Sequence, residues 1–467
     1  MSTSRNKKPN GQTRRDFFGR VGLGSLLIGS SFTSGMGHPK EALRPNSDHY
    51  QSLSLRTHEW FGDIEERLDL PKEWDVKIHH MAGNDSRVLS HEEIRSRITS
   101  PINTKRLREI AAGKKTAVIL FDDLTRATPA KEIAPLLIEE LKAGGIRDEN
   151  ILFVCMLGSH GAANEPDVRA KLGDEIVDNY PWINHNVHEN LTDLGKTSRG
   201  NHLKVNYYVM QADVKVSISG IKVHGGPGYS GGAKAILPGV ASLDAIEYMH
   251  TTIPGIQGNR NPTVGAGKIY HNDCRLDMEE SARLAGLDFT VQLLINGRRE
   301  IIGVYAGDVV DAFRPAVHDA NVRYETKLAR DVDVVITNGY PRTMQEYGFE
   351  WANQSLRWGG TSIVIWQMPL AKYTLHYYNE RRDYRGKSFW DLNKEKTDPV
   401  ERAGQVIVFS QYIQRRDMLH YPEEKVKVVK KWEDVLALLQ KAHGPSTSVA
   451  VYPYIGVQHP PLQLDGP

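Results

Sequence analysis

The segment 224–239 combines residue types that are suited to catalysis. It reads His-Gly-Gly-Pro-Gly-Tyr-Ser-Gly-Gly-Ala-Lys-Ala-Ile-Leu-Pro-Gly, and Lys234 lies inside it. A lysine amine can act as a nucleophile or as an attachment point for a cofactor. The glycines let backbone N–H groups approach an anion or a flat cofactor closely, and we expect the segment to lie at the surface. It lacks the Gly-Lys-Ser/Thr of a Walker A loop.

Three histidines and an arginine accompany this lysine. His224 lies ten residues before Lys234, His250 lies sixteen residues after it, and His160 follows an apolar run as Gly-Ser-His. Imidazole titrates near neutral pH and is a common metal ligand, so these residues suit acid/base catalysis or metal binding. Arg126 suits a carboxylate because its planar fork binds both oxygens.

The elements that position these residues alternate β-branched runs with amphipathic helical patterns, which is typical of α/β folds. The predicted strands are 116–121, 151–157, 214–221, 332–337, 361–366, 406–410 and 425–429, and the predicted helices include 130–143 and Trp432–Ala442. The first three strands are each followed by polar residues. Ligands bind at the carboxyl ends of strands in open parallel sheets, so we expect the site there.

The predicted fold class is α/β, with two α/β domains, mostly parallel sheets and an active-site cleft between the domains. A chain of 467 residues is long enough for two or three domains. An N-terminal cofactor-binding domain is predicted at 61–290, after a polar lead-in at 38–60. A boundary within 285–300 separates it from a C-terminal domain at 291–467 that closes over the substrate.

The first 37 residues have the composition of an export signal. A twin-arginine motif with Arg14 and Arg15 precedes an apolar stretch at 21–32 and then small residues. This predicts a signal peptide at 1–37, the twin-arginine translocase as a partner, and an exported, periplasmic or extracytoplasmic protein. The alternative is an amphipathic first helix of the fold.

Composition excludes several other classes. The net charge of +2 gives no indication of nucleic-acid binding. Beyond the N-terminus no stretch approaches the roughly 18 apolar residues of a membrane span, so the mature protein is predicted to have none. Cys155 and Cys274 allow at most one disulfide, and Cys155 is predicted to be a buried core thiol.

Taken together, the motifs resemble the nickel-pincer-dependent lactate racemase family over roughly residues 70–270. The resemblance rests on the segment 224–239, on His250, on Gly-Ser-His160 and on the Asp-Asp-Leu-Thr-Arg-Ala-Thr-Pro of 122–129. That family uses nickel held by a pyridinium-3,5-bisthiocarboxylate mononucleotide, the nickel pincer. The pincer is attached covalently to a lysine, and a histidine supplies the remaining metal ligand.

The resemblance implies a role for each matching residue. Lys234 would tether the cofactor, His250 would bind nickel, and His160 and His224 would be the two acid/base histidines. The further implied contacts are Asp123, Ser230, Gly231 and Gly232 to the cofactor and Arg126, Tyr347 and Trp351 to the substrate. One histidine would take the hydroxyl proton while hydride leaves the carbon, and the ketone would be reduced on its other face. Maturation enzymes would install the cofactor before export.

The second half departs from the family pattern. The racemases have a Tyr-Gln-x-x-Lys segment whose lysine helps to hold the substrate carboxylate. Here Tyr347 remains, but Gly348 and Trp351 stand where glutamine and lysine are expected. Further aromatic residues follow at Tyr373, His376, Tyr377 and Tyr378. Losing a cation and gaining aromatic side chains favours a substrate larger than lactate.

The sequence therefore predicts an isomerase, a racemase or epimerase of a 2-hydroxy acid larger than lactate. Its small-molecule partner would be a hydroxy acid or a sugar acid. One alternative is a sugar or sugar-acid epimerase or oxidoreductase with the same cofactor, which would act on polyols and sugar acids but not on lactate. Another is a non-catalytic exported solute-binding homologue, which would carry neither nickel nor added mass at Lys234.

Overall fold

A computed structural model describes residues 49–256, 259–342, 348–369, 396–413, 418 and 421–466. The predicted signal peptide, Tyr347 and the aromatic residues at 373–378 lie outside the described residues. Within the described ranges, no helix is long and apolar enough to cross a membrane.

The strands in chain order are β1 (Tyr50–Thr57), β2 (Ile64–Pro71), β3 (Asp75–Ile78), β4 (Ala117–Phe121), β5 (Ile151–Cys155), β6 (Trp182–Asn184), β7 (Leu191–Lys196), β8 (His202–Asn206), β9 (Val214–Gly220), β10 (Val223–His224), β11 (Gly228–Tyr229), β12 (Gly255–Ile256), β13 (Asn259–Arg260), β14 (Phe289–Ile295), β15 (Ile301–Gly307), β16 (Val332–Asn338), β17 (Leu356–Ile365), β18 (Ala403–Phe409), β19 (Val426–Val429) and β20 (Ser448–Tyr452). The α-helices are α1 (His91–Thr99), α2 (Leu107–Ala111), α3 (Ala134–Ala143), α4 (Glu165–Leu172), α5 (Asp174–Asn179), α6 (Tyr207–Gln211), α7 (Leu243–Glu247), α8 (Asp273–Ala285), α9 (Phe313–Arg323), α10 (Phe349–Ser355) and α11 (Trp432–Ala442).

The first large sheet has the strand order β15-β14-β9-β4-β5-β6. Its strands are parallel except for β15, which pairs antiparallel with β14. Side chains of β4 alternate between two hydrophobic clusters, with Ile119 in one and Val118 and Leu120 in the other. The sheet is therefore buried on both faces, which explains the continuous apolar runs of its strands.

The second large sheet has the order β19-β18-β17-β16-β20-β3 and is parallel throughout. Its edge strand β3 comes from the N-terminal part of the chain. The hairpin β1–β2 packs beside this sheet, where the Trp432 indole N–H donates to the carbonyl of Asp69 at 2.8 Å. Residues 50–57 are thus a paired strand, although the sequence predicted an extended polar lead-in there.

The predicted α/β class with mostly parallel sheets is confirmed. The helix α11 has its predicted bounds, whereas the predicted helix 130–143 is a 3₁₀ turn at Ala130–Glu132 followed by α3. The first sheet runs on to Gly307, past the region 285–300 in which the sequence placed a boundary. The division into domains at 61–290 and 291–467 stays a prediction. Cys155 is a buried free thiol, as predicted.

Candidate active site

Three neighbouring parallel strands end at the same edge of the first sheet. Because β9, β4 and β5 lie side by side, the segments that follow them meet, as the sequence predicted. They line a cavity of about 200 Å³. The predicted site residues at this cavity are Asp123, Arg126, His160, His224, Ser230, Gly231, Lys234 and His250.

His160 is held by a buried carboxylate. Its Nδ1 lies 2.6 Å from Oδ2 of Asp123, and Oδ1 of Asp123 accepts a hydrogen bond from the backbone N–H of Thr125 at 3.0 Å. Burial alone would raise the pKa of Asp123, but the charge and hydrogen bond of His160 outweigh burial and hold it well below its usual range. When the His160 ring is neutral, the ionised Asp123 makes Nδ1 the donor and leaves Nε2 as the proton acceptor. Asp123 therefore orients His160, and both of its oxygens are engaged by the protein.

The neighbouring Asp122 fixes the loop after β4. Its carboxylate lies 2.7 Å from Nζ of Lys171 and accepts the Thr128 hydroxyl at 2.6 Å. Nζ of Lys171 also donates to the carbonyl of Arg126 at 2.7 Å. Burial raises the pKa of Asp122 against the opposing effect of Lys171. These contacts set the backbone from which Arg126 reaches the cavity.

His224 lies on a short hairpin between the first sheet and the lysine turn. The strand β10 pairs with β11, and the backbone N–H of Gly226 donates to Nδ1 of His224 at 3.2 Å. This contact places the proton of the neutral ring on Nε2. Burial, followed by the charges of Lys234 and Arg126, lowers the pKa of His224 well below its usual value.

Lys234 lies in a 3₁₀ turn at Gly232–Ala235. Burial, followed by the charges of Arg126 and Arg275, lowers the pKa of its amine well below the usual range. A neutral amine is the nucleophilic form of lysine. The turn is mostly buried, so the prediction that this segment lies at the surface is wrong.

The segment is buried because its glycines pack against other elements. A Cβ at Gly231 would lie 2.4 Å from Oε1 of Gln292, and φ there is +87°. The N–H of Gly232 donates to the same amide oxygen at 2.9 Å, and Gly232 is not among the residues lining the cavity. Its N–H is therefore engaged by the protein, and its predicted role as a cofactor contact stays a prediction. The hydroxyl of Ser230 likewise donates to the carbonyl of Gly220 at 2.7 Å.

Arg275 organises this segment and was not found from the sequence. Its buried guanidinium donates to the carbonyls of Gly231 at 3.1 Å, of Pro227 at 3.3 Å and of Tyr229. Burial lowers the pKa of Arg275 to about 9. The sequence offers no local signal for this role, because α8 brings Arg275 to the loop only in the folded chain.

His250 lies on a π-helical turn, Tyr248–Thr252, that continues from α7. Ser242 caps α7 as predicted, with its hydroxyl accepting from the N–H of Ala245 at 3.4 Å. Nδ1 of His250 donates to the carbonyl of Ile246 at 2.8 Å, which leaves the lone pair on Nε2. Single π turns inside helices are frequent at functional sites.

The second sheet contributes Arg342 to the cavity. This residue follows the cis Tyr340–Pro341 bond beyond the carboxyl end of β16. Burial, followed by the charge of Arg126, lowers the pKa of Arg342 to about 9. Sequence reasoning missed it, although the strand-end argument used for the first sheet applies equally to β16.

Trp351 does not reach this cavity. Its ring lies in the hydrophobic core of the second sheet, 4.6 Å from the ring of Tyr452 between centroids. Its position corrects the prediction that it contacts the substrate, because α10 buries this face against β16.

A turn at 58–63 contacts segments that follow strands of both sheets. The indole N–H of Trp60 donates to the carbonyl of Leu124 at 3.0 Å, and its ring is 4.7 Å from Nζ of Lys171. Glu59 is fully buried, with its nearest oxygen 3.6 Å from Nη1 of Arg299. Burial, partly offset by Arg299 and Lys171, raises the pKa of Glu59 to about 7. A buried carboxyl thus lies close to the cations Arg299 and Lys171.

Comparison with known proteins shows which family this chain resembles. Residues 61–261 match the family described as the lactate racemase N-terminal domain. The chain is similar to the lactate racemases. It is 28% identical to the lactate racemase of Thermoanaerobacterium thermosaccharolyticum over 357 residues, 74% of this chain and 80% of that protein. It is 27% identical to the lactate racemase of Lactiplantibacillus plantarum over 342 residues, 71% of this chain and 76% of that protein.

Comparison with solved structures shows that the fold of this chain is also similar to that of a lactate racemase. The lactate racemase apoprotein of Thermoanaerobacterium thermosaccharolyticum superposes with a TM-score of 0.62 at 24% identity, covering 87% of this chain and 99% of that one. A protein from Thermotoga maritima gives a TM-score of 0.52 at 17% identity, covering 78% and 98%. The resemblance predicted for roughly residues 70–270 is thereby confirmed, and the lactate racemase fold extends over both large sheets.

Proposed function

We propose that this protein is a racemase or epimerase of 2-hydroxy acids that acts with a lysine-tethered nickel pincer. One observation carries the proposal: Lys234, His250, His160, His224 and Arg126 line a single cavity. These side chains offer a nucleophilic amine, a metal ligand, two acid/base groups and a carboxylate ligand. The relationship to the lactate racemases supports the same reaction type.

The residues present fit the proposed cofactor. Burial favours the neutral amine of Lys234, which is the form that bonds to an acyl carbon. The tautomer of His250 directs a lone pair from Nε2, as a nickel ligand requires. Among the residues that the structure describes, no three His, Cys, Asp or Glu side chains are grouped as a metal site. A metal at His250 would therefore take its other ligands from an organic group, such as the sulfur atoms of the pincer.

The side chains of the cavity account for the proton transfers. When bound, the pincer would supply an acceptor for hydride from the hydroxyl-bearing carbon. Arg126 would bind the substrate carboxylate, and Nε2 of His160 would take the hydroxyl proton. The ionised Asp123 would stabilise the resulting imidazolium through the 2.6 Å contact to Nδ1. The imidazolium of His160 would return this proton to the oxygen when the ketone is reduced on its other face. His224 would be the base for the opposite enantiomer, once Nε2 has given up to solvent the proton that it carries in the resting protein.

The substrate class includes lactate and larger hydroxy acids. The sequence predicted a substrate larger than lactate partly because the second half lacks the family's lysine. Arg342, however, brings a cation to the cavity from that half, so this part of the argument is weakened. The aromatic residues at 373–378 lie outside the described residues, so their part in the argument stays a prediction. A screen of lactate, larger 2-hydroxy acids and sugar acids separates these possibilities.

The test uses the full chain co-expressed with nickel-pincer maturation enzymes, which we propose as its partners. We expect an added mononucleotide-sized mass at Lys234, about one nickel per chain, and inversion of at least one 2-hydroxy acid. The Lys234→Ala variant should lack the added mass, the nickel and the activity. Activity in the Lys234→Ala variant would refute the lysine-tethered cofactor. Well-folded wild type that is unmodified, free of nickel and inactive would refute the proposal and favour a solute-binding homologue.

We also infer that the chain is exported through the twin-arginine translocase. The motif with Arg14 and Arg15 supports this proposal. Cell fractionation of the wild type should place it outside the cytoplasm, and replacing both arginines by lysine should retain it inside. If the wild type and the double lysine variant were distributed equally between the cytoplasm and the other fractions, export by the twin-arginine route would be contradicted.

A further inference from the structure

Trp60 lies in a turn whose backbone conformation is unusual. His58, Trp60 and Asp63 have positive φ angles of 57°, 66° and 48°. Such angles are uncommon for residues other than glycine, and they are least favourable for a bulky side chain. A backbone of this kind persists only where its surroundings hold it in place. The elements around the turn must therefore fix its conformation.

Both large sheets hold this turn. The N–H of His58 donates to the carbonyl of Gln367 at 3.0 Å, just beyond the end of β17. The carboxylate of Asp63 accepts the Tyr340 hydroxyl at 2.6 Å and a guanidinium N–H of Arg299 at 3.0 Å. Tyr340 follows β16 of the second sheet, whereas Arg299 lies between β14 and β15 of the first. The turn is thus anchored to both sheets.

The indole of Trp60 reaches from this turn to the loop after β4. Its N–H donates to the carbonyl of Leu124 at 3.0 Å, one residue after Asp123. Its ring centroid lies 4.7 Å from Nζ of Lys171, and the same Nζ donates to the carbonyl of Arg126 at 2.7 Å. Trp60 therefore supports the loop directly at one carbonyl and contacts the lysine that supports it at another.

The carbonyl that Trp60 contacts belongs to the peptide unit that holds Asp123. The carbonyl of Leu124 and the N–H of Thr125 lie in one plane, because the peptide bond between them is rigid. That N–H donates to Oδ1 of Asp123 at 3.0 Å, while Oδ2 of Asp123 lies 2.6 Å from Nδ1 of His160. The hydrogen bond from Trp60 thus sets the plane that directs an N–H at the carboxylate partner of His160.

We propose that Trp60 is a positioning residue for the pair of Asp123 and His160. It touches neither of their side chains in this account and acts through the peptide unit between Leu124 and Thr125. The inference rests on the proposed function, in which His160 is an acid/base group. Because the turn is anchored to both sheets, it links the orientation of His160 to the packing of the two sheets.

The first experiment follows hydrogen–deuterium exchange in the full chain without cofactor, so it does not depend on turnover. Trp60→Phe removes the indole N–H and keeps an aromatic ring beside Lys171. We expect amide exchange in residues 122–128 to become about five- to tenfold faster, the effect of losing one hydrogen bond. The matched control is Trp432→Phe, which removes an indole hydrogen bond to the carbonyl of Asp69 at 2.8 Å. It should leave exchange in residues 122–128 unchanged.

The second experiment measures kinetics of the protein loaded with cofactor. Trp60→Phe should lower kcat/KM by about tenfold and alter its pH profile, because the acid/base pair is less well held. The mass attached at Lys234 should be retained. Trp60→His, whose ring nitrogen can donate to Leu124, should recover part of the loss. Trp432→Phe should keep the wild-type kcat/KM and pH profile even if its thermal midpoint falls.

The outcomes separate this inference from the proposed function. Equal exchange in residues 122–128 for Trp60→Phe and Trp432→Phe, with equal pH profiles, would overturn the inference and leave Trp60 a purely structural role. That result in an active enzyme would leave the proposed function standing. Faster local exchange in Trp60→Phe, with a wild type that racemises no hydroxy acid, would support the positioning of Asp123 while refuting the proposed function. Trp60→His keeps the test valid if Trp60→Phe does not fold.

Discussion

Nδ1 of His160 lies 2.6 Å from Oδ2 of Asp123, and the carboxylate is almost fully buried. This pair gives His160 one defined tautomer, with Nε2 as the proton acceptor. His224 has no such carboxylate partner among the described contacts and instead accepts an N–H from Gly226. The two proposed acid/base histidines therefore differ in the group that supports each ring.

Asp123→Asn should lower kcat/KM by about 100-fold or more, because an amide can stabilise neither the required tautomer nor the imidazolium. The pH profile of activity should change as well, since His160 loses its carboxylate. The control is Asp193→Asn, which removes the partner of the exposed His202 at 2.8 Å and should leave activity unchanged. An unaltered pH profile in Asp123→Asn, with the mass at Lys234 retained, would contradict the positioning role.

Replacing Gly231 tests the close packing of the lysine turn. A Cβ there would lie 2.4 Å from Oε1 of Gln292 and 2.6 Å from Cδ1 of Ile221, at a φ of +87°. We expect Gly231→Ala to reduce the free energy of unfolding by about 1–3 kcal/mol and to reduce attachment of the cofactor. Gly225→Ala is the matched control, because nothing lies within 4 Å of its Cβ position. Equal denaturation midpoints for the two variants would show that the turn accommodates a side chain.

Glu59 should make stability depend on pH. Its pKa is about 7 in the folded protein and 4.5 without burial, so between these values the folded state binds a proton that the unfolded state does not. The free energy of unfolding should therefore fall as the pH rises from 4.5 to 7. Glu59→Gln lacks this titration. The free energy of unfolding of the variant minus that of the wild type should therefore increase by about 3 kcal/mol as the pH rises from 4.5 to 7. Denaturant titrations of both proteins at pH 4.5, 6 and 8 measure the difference, and parallel curves would contradict it.

Variants of His250 and Lys234 should separate binding of nickel from attachment of the cofactor. His250→Ala should retain the added mass at Lys234 but lose most of the nickel, because one metal ligand is removed. Lys234→Met should lose both mass and nickel while keeping the fold. His202→Ala, which changes an exposed histidine, serves as the control. Full nickel content in His250→Ala would assign the metal to other ligands.

Local patterns were sufficient to predict the first sheet and most of the cavity. The runs that become β4, β5 and β9 are continuous and apolar because both faces of the sheet are covered. Parallel neighbours then bring Asp123, His160 and His224 to one edge. The same reasoning accounts for His250, whose short helix carries its own cap at Ser242.

Long-range packing determined what the sequence did not reveal. Arg275 reaches the lysine turn from α8, and Glu59 becomes buried only when the turn at 58–63 meets both sheets. Trp351 was assigned to the substrate because of its place in a motif, yet α10 directs it into the core. Such positions depend on which elements face each other, and periodicity carries no information about that.

The edge strand β3 has a consequence for how the chain folds during synthesis. It leaves the ribosome before any strand of the first sheet, yet its partner is β20, close to the end of the chain. The second sheet therefore cannot complete its edge until translation is nearly finished, while the first sheet can already assemble. A protein that is exported only after folding would have to remain in the cytoplasm until that last strand is made. Truncation before β20 would then leave β3 without its partner strand and would turn β16, still paired with β17, into an exposed edge open to proteolysis and aggregation.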